Sequence, residues 1–334
     1  MQDFETLKLN CRSANEDLDG ISTMKAVEYR DQIIYEQHFS NNELLWSLDH
    51  TIRPLSHIFP LHIHDFCEIY LFLRGNIDYL VESEIYHMQP NDILIIPAGC
   101  VHQTNVRDSN ALYERINLWI KYPTLARLST DTLDLRTCLD NAVVRQNHLL
   151  PAAAPENEFI RVAMMQLIRL QTGDYFGKEI SNGDFLRQIV IYAYNYCIRV
   201  ASAPQRQVLR NPLVAAAIDE INSHLSDPIT LEAISNTLFV SKYHLAHTFK
   251  QHMGISLHQY VIGRRLANAK EMIDAGSSLN AVCTECGFSN YSNFYKIFKS
   301  RVGMSPTEYQ LYRLGQRSAP SGDMPLRDPF EENA

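Results

Sequence analysis

The hydrophobic pattern changes period once along this chain. From about Val27 to Tyr122 apolar residues gather in short runs, among them Ile69–Leu73, Ile77–Val81 and Ile93–Ile96. Turn-forming clusters separate the runs, at Arg74-Gly75-Asn76, Gln89–Asp92 and Pro97–Gly99. Short β runs punctuated in this way predict a small barrel or sandwich. Pro151 and Pro155 bracket an alanine run, and beyond them the apolar spacing becomes helical. Val162, Met165, Leu167 and Ile168 share one face of a helix predicted over about 156–171. Ile189, Tyr192, Ala193 and Tyr196 do the same over about 184–201. Residues 203–207 read as a linker, the polar stretch 1–28 as an arm, and 317–334 as a disordered tail.

The last third repeats itself. Ser241–Tyr260 is echoed 49 residues on by Asn290–Tyr309, pairing Phe249 with Phe298, Lys250 with Lys299, Gly254 with Gly303, Ser256 with Ser305 and Tyr260 with Tyr309. Such internal similarity means one supersecondary unit used twice. Each copy carries the punctuation of a helix-turn-helix. Thr230 can cap a scaffold helix over about 231–238, Ser241 a second helix over 242–253, and Gly254 suits the left-handed stop. Ser256 with Gln259 forms a capping box for a long helix running to about Ala275. In the second copy Ser278 caps, Gly287 turns, Ser289 or Asn290 caps again, Gly303 stops, and Ser305 with Glu308 makes another capping box.

A pair of such motifs presents two similar helices to one extended partner, for which double-stranded DNA is the candidate. The start of the second helix reaches base edges in the major groove, whereas Lys or Arg further along suits phosphate. This assigns Tyr243, His247, Tyr291, Ser292 and Lys296 to bases, and Lys250, Lys299 and Arg264 to phosphates. Lys242 joins them on the same outward face. Leu245, Phe249, Phe294 and Phe298 are expected inward. A solvated helix face would show the same polar pattern.

Charge sharpens this picture. Residues 1–209 carry 18 Lys and Arg against 26 Asp and Glu, residues 210–317 carry 11 against 8, and residues 318–334 carry 1 against 4, within an overall net of −8. Only the repeat region is net basic, as expected of a nucleic-acid module joined to a domain with other duties. The seven cysteines are scattered and odd in number, which fits reduced thiols in a cytoplasm. The first residues lack the basic and apolar regions of a signal peptide, and no apolar run approaches a membrane span.

The C-terminal residues resemble the AraC/XylS family of bacterial transcription regulators. The carriers are Tyr260, Arg265–Ala269, Cys286-Gly287-Phe288, Phe294, Phe298-Lys299, Gly303–Pro306 and Tyr309. The resemblance covers about 212–312 and implies two helix-turn-helix units joined by a rigid helix, entering adjacent major grooves. Ala246 and His247 are shorter or less basic than the family often offers, so base contacts of the first copy are expected to be weaker. The family fills Cys283 and Cys286 with small core residues, which favours core over a zinc or redox pair.

Upstream, His62, His64 and Glu68 precede Gly75, and Pro97, Gly99 and His102 follow. Side chains alternate along a strand, so His62 and His64 point one way. Three imidazoles and a carboxylate in a barrel could hold a divalent transition metal. The string resembles both motifs of the cupin superfamily, departing at Ser56 and Asn91, where glycine is usual. A metal-dependent enzyme, a metal-loaded sensor and a plain effector pocket all remain open. Resemblance to AraC-type sensor domains implies a non-catalytic effector pocket without a cofactor. His62, His64, Glu68 and His102 are its candidates, joined by Arg53, Tyr70 and Tyr79, and such a lining suits a small polar ligand such as a sugar.

The expectation is therefore an α+β chain of two domains and no enzyme. It has an arm (1–28), a cupin-like barrel (29–150), a helical dimerisation segment (151–209), an all-α tandem helix-turn-helix domain (210–316) and a tail (317–334). It would act as a cytoplasmic, homodimeric regulator touching RNA polymerase, with no membrane partner. The alternatives are a metal-dependent cupin enzyme fused to a DNA-binding module and an architectural DNA binder that needs no ligand.

Overall fold

A computed structural model of the chain describes residues 22–29, 32–41, 46–54, 61–108, 112–201 and 209–313. The expected linker at 203–207 and the tail 317–334 lie outside them. The N-terminal half is built from strands β1 (Ser22–Tyr29), β2 (Gln32–Asn41), β3 (Trp46–Pro54), β4 (Phe66–Arg74), β5 (Ile77–Val81), β6 (Glu84–His87), β7 (Ile93–Ile96), β8 (His102–Val106) and β9 (Leu112–Lys121). β1 begins inside the stretch read as an arm, because its alternation mixes polar and apolar residues too evenly to stand out. Helices α1 (Tyr122–Leu128), α2 (Leu135–Leu139) and α3 (Ala142–Arg145) lead to the short strand β10 (Leu149–Leu150).

The strands form two antiparallel sheets, one of order β1-β2-β3-β9-β4-β7-β10 and one that includes β6-β5-β8. Alternation along β4 divides its side chains between two cores. Tyr70 and Phe72 lie between the sheets with Tyr79, Val81, Leu94, Ile96 and Tyr113. Ile69 and Leu71 face the other way, with Ile93, Ile116 and Leu118, onto α4 (Pro155–Gln171) and α5 (Lys178–Val200). Met164, Leu167, Ile189 and Val190 are buried in that second core.

β11 (Leu209–Arg210) pairs with β6 and hands the chain to the C-terminal helices. These are α6 (Pro212–Ser223), α7 (Leu231–Thr237), α8 (Lys242–Met253), α9 (Leu257–Asp274), α10 (Leu279–Glu285), α11 (Tyr291–Val302) and α12 (Pro306–Arg313). The caps sit where the punctuation predicts. Thr230, Ser241, Ser256, Ser278 and Asn290 each accept a backbone N–H of the following turn. Gly254 and Gly303 end α8 and α11 in the left-handed region. Gly287 has a second reason to be glycine: a Cβ there would stand 2.7 Å from Leu225 O and 2.8 Å from Ser226 O.

The two halves share a core. Leu61, Ile63, Leu80 and Val101 of the barrel pack with Val214, Ile218, Leu245, Phe249, Met253, Leu257 and Val261 of the first helix-turn-helix. Phe294, Phe298, Cys283 and Cys286 fill a separate cluster in the second unit. Burial pushes the Cys286 thiol up to about 12, which makes it a poor nucleophile and a small core residue.

Candidate effector site and nucleic-acid interface

The β4 register puts Glu68 and Tyr70 on the inner face, and the irregular segment before it brings His62 and His64 alongside. His62 pairs with His102 through both backbone hydrogen bonds, each 3.0 Å long. The four candidates His62, His64, Glu68 and His102 thus converge, with their ligand atoms within 4.8 Å of one another. His64 Nε2 stands 2.9 Å and His102 Nε2 3.5 Å from Glu68 Oε2. Burial lowers the His64 pKa below the usual imidazole value.

His62, His64 and Glu68 form one wall of a cavity of about 210 Å³, lined further by Phe66, Tyr70, Tyr79, Thr104, Tyr113, Arg115, Asn117 and Trp119, and His102 is buried beside them. Tyr70 and Tyr79 thus line the same cavity as His62, His64 and Glu68. Arg53 is on β3 opposite Tyr113 in register, and its side chain is outside the described residues. Tyr70 and Tyr113 share a hydroxyl hydrogen bond of 2.7 Å. Burial holds the Tyr70 and Tyr79 phenols far above their ordinary pKa, so both keep their protons.

Sequence reasoning missed the contribution of β9. Tyr113, Arg115, Asn117 and Trp119 follow one another at every second position, which is the strand period. Between them Ile116 and Leu118 face the helices. That alternation of large polar and apolar residues was the available signal. Arg115 Nη1 and Asn117 Oδ1 are buried without a hydrogen bond, although Arg115 lies 3.4 Å from Asp49. Unmet buried groups of this kind cost about 1–3 kcal/mol each, which a ligand of matching polarity can offset.

On the other half, Lys242, Tyr243, His247 and Lys250 of α8 are exposed together. Tyr291, Ser292, Lys296 and Lys299 of α11 are exposed as well. Leu245, Phe249, Phe294 and Phe298 are fully buried. Tyr243 stacks parallel to His247 at 6.0 Å, and Lys242 pairs with Glu232 at 3.1 Å.

Arg264 departs from expectation. A basic residue that follows the first recognition helix suits a phosphate, yet Arg264 is 7% exposed. Its guanidinium donates to Gly99 O and reaches Glu82 Oε1 at 3.2 Å. The angular position of Arg264 on α9 turns it toward the barrel, away from α8 and α11. Glu82 also accepts from Val101 N at 3.1 Å and from the Tyr260 hydroxyl. His252 of α8 bonds Ser83 O at 3.0 Å. Glu82 occupies a two-residue hairpin turn between β5 and β6 with φ of +52°. Glycine is preferred at such a position, and no sequence signal marked Glu82.

A barrel with an internal cavity lined by aromatic and a few polar side chains, locked to paired helix-turn-helix units with open recognition faces, defines a ligand-sensing DNA-binding protein. Comparison with known proteins agrees. Residues 50–143 match the model of the AraC-like ligand binding domain, and residues 234–311 match a helix-turn-helix domain. The chain belongs to the AraC/XylS family of transcription regulators. It is similar to the probable transcriptional regulator LumQ of Photobacterium leiognathi, 39% identical over 28% of this chain and 38% of LumQ. It is also similar to the transcriptional activator RhaR of Pectobacterium atrosepticum, 26% identical over 76% of this chain and 86% of RhaR. Among solved structures, the C-terminal domain of AraT, a response regulator from Geobacillus stearothermophilus, is 27% identical. It covers 34% of this chain and 93% of that one, with a TM-score of 0.30. The relatives are named as transcription regulators, and the family match makes the chain a transcription regulator. No helix among the described residues is long and apolar enough to cross a membrane.

Proposed function

We propose that a small, oxygen-rich effector bound in the barrel cavity controls how the chain occupies its operator. The observation that carries this is the two-sidedness of two short segments. His62 and His64 alternate with Leu61 and Ile63, and His102 follows Val101. His62 and His64 line the cavity and His102 packs edge-on against both rings, while Leu61, Ile63 and Val101 are packed under the first helix-turn-helix. Gly99 ties the same loops together, its N–H donating to His64 O and its carbonyl accepting from Arg264. A ligand that shifts these strands by a fraction of an ångström must repack the docking surface, because close-packed cores do not deform continuously. Differential affinity for the docked and undocked arrangements is then the coupling.

The cavity is smaller than the roughly 300–1,000 Å³ typical of drug-sized ligands. The Asn117 Oδ1, buried without a hydrogen bond, and the Arg115 guanidinium in the same wall favour a hydroxylated molecule of about monosaccharide size. In this reading residues 29–150 sense, 151–209 dimerise and 210–316 bind DNA. Phe159 and Val162 on α4 and Ile198 on α5 are large apolar side chains left exposed, which supports the homodimer. The buried Met164 and Ile189 serve the barrel instead. A cytoplasmic location and contact with RNA polymerase follow from the family's role.

Fluorescence anisotropy with the chain's own upstream DNA and with random duplex tests the interface. Lys296→Ala and His247→Ala should weaken specific binding more than random binding. Lys299→Ala should weaken both and reduce the salt slope by about 0.9. Equal losses on random DNA for all three variants would remove the base-contact assignments. A sugar or sugar acid that shifts wild-type binding but not that of Asn117→Ala would place the effector in the cavity.

A further inference from the structure

We propose that His62, His64, Glu68 and His102 hold a divalent transition-metal ion, so that the cavity is sensed through a metal centre. The proposal deepens the effector-site reading but is tested without it.

Hydrogen-bond geometry around the two best-defined imidazoles carries the argument. His64 Nδ1 lies 2.9 Å from Phe66 O, and His102 Nδ1 lies 2.9 Å from Cys100 O. A carbonyl oxygen can only accept, so each Nδ1 bears the proton and donates it. In the neutral imidazole each Nε2 then carries a lone pair. Both lone pairs point at the same carboxylate oxygen, Glu68 Oε2, from 2.9 and 3.5 Å. Three acceptors thus face one another in a place where Glu68 is 2% and His102 0% exposed. One proton placed between His64 and Glu68 satisfies that pair. It leaves His102 Nε2, which makes no hydrogen bond, aimed at the carboxylate with nothing between them. A cation satisfies all of them at once.

The same backbone bonds are what a metal site requires of its surroundings. A ligating imidazole donates its other ring N–H to a carbonyl or carboxylate, which sets the tautomer and the ring plane. His64 is additionally held by stacking on Phe66, with ring centroids 3.7 Å apart. His62 supplies the third imidazole, its ring centroid 4.0 Å from that of His102. Donors at about 2.1 Å from one ion stand roughly 3.4 Å apart in a tetrahedral site and roughly 4.2 Å apart where they are trans, so the observed span of 4.8 Å closes by about an ångström on loading. Three nitrogens and one oxygen suit zinc, cobalt, nickel or ferrous iron rather than calcium or magnesium. His62, His64 and Glu68 also line the cavity, so a remaining coordination position faces the space proposed for an oxygen-bearing effector.

The test uses the full chain, stripped with EDTA and titrated with Co(II) while visible absorption is recorded. One equivalent per chain is expected, with ligand-field bands of a nitrogen and oxygen site, displaced by Zn(II) and indifferent to Mg(II). His102→Ala should bind at least about 100-fold more weakly, the upper end of what loss of a mere supporting hydrogen bond costs, whereas the exposed His87→Ala should bind as wild type. Failure of the stripped wild type to take up stoichiometric cobalt would overturn the proposal, whatever the variant does. Thiolate charge-transfer bands, or unchanged binding by a folded His102→Ala, would overturn it equally. DNA binding is not read in this experiment, so its outcome is separable from that of the effector reading.

Discussion

Arg264→Ala separates two roles that a basic side chain near a recognition helix can have. As a phosphate contact it would contribute one neutralised charge, and its loss would reduce the slope of log K against log salt by about 0.9. As a latch between the halves it would leave that slope alone. The structure places its guanidinium on Glu82 and Gly99 O, with both side chains of the ion pair about nine-tenths buried. Removing one partner of a buried pair costs about 3–5 kcal/mol. The lower end applies, because Glu82 keeps its bonds from Val101 N and the Tyr260 hydroxyl. About 3 kcal/mol is roughly a 150-fold shift toward the undocked arrangement. Hydrogen exchange reads this opening directly. Amides of residues 61–64 and 97–102 should exchange about 100-fold faster in the variant, with those of α11 unchanged. Salt titrations of DNA binding on the same preparations supply the second axis. A slope reduced by about 0.9 with exchange unaltered would show that Arg264 touches DNA and that the latch is wrong.

Two further outcomes follow from single residues. Gly287→Ala should destabilise the second helix-turn-helix by about 2 kcal/mol or more, from the left-handed backbone and from the collision with Leu225 O and Ser226 O. Gly303→Ala, left-handed but with open space around it, should cost only about 1 kcal/mol. Equal melting-temperature losses would show the close approach to be irrelevant. Burial pushes the His148 imidazole down to about 4, with Nδ1 bonded to Ile95 O. The unfolded chain therefore takes up the proton first as pH falls, and stability is lost between pH 6.5 and 4. The loss amounts to about 3 kcal/mol by linkage. Urea unfolding at stepped pH should show that slope in wild type and a shallower one in His148→Gln; parallel curves would refute it.

Much of the DNA-binding half was legible because its signals are local. An N-cap, a capping box and a glycine stop act within one turn of helix, so Ser241, Ser256 with Gln259, and Gly303 announce their own conformations. The inward Phe249 and Phe298 follow from the 3.6-residue period alone. Within the barrel, the strands around Tyr70 and Tyr79 were readable from alternation, whereas grouping His62, His64 and Glu68 with His102 leaned on the resemblance to cupin motifs.

The rest depends on contacts that sequence separation hides. Glu82 and Arg264 are 182 positions apart, and nothing near either one signals the other. A basic residue on α9 reads alike whether it turns toward phosphate or toward a buried carboxylate; only the angle at which the halves pack decides. For the same reason Tyr113, Arg115, Asn117 and Trp119 could be read as a strand but not as the wall opposite the histidines, since which sheet face closes over which depends on strand order. Local signals in the chain set the C-terminal helices, their caps and the chemistry that each recognition helix carries. Tertiary structure alone decided that one pair of β segments would show histidines to a cavity and an apolar back to the DNA-binding domain. The alternation of side chains about an extended backbone makes both faces available, and packing chooses what lies against each.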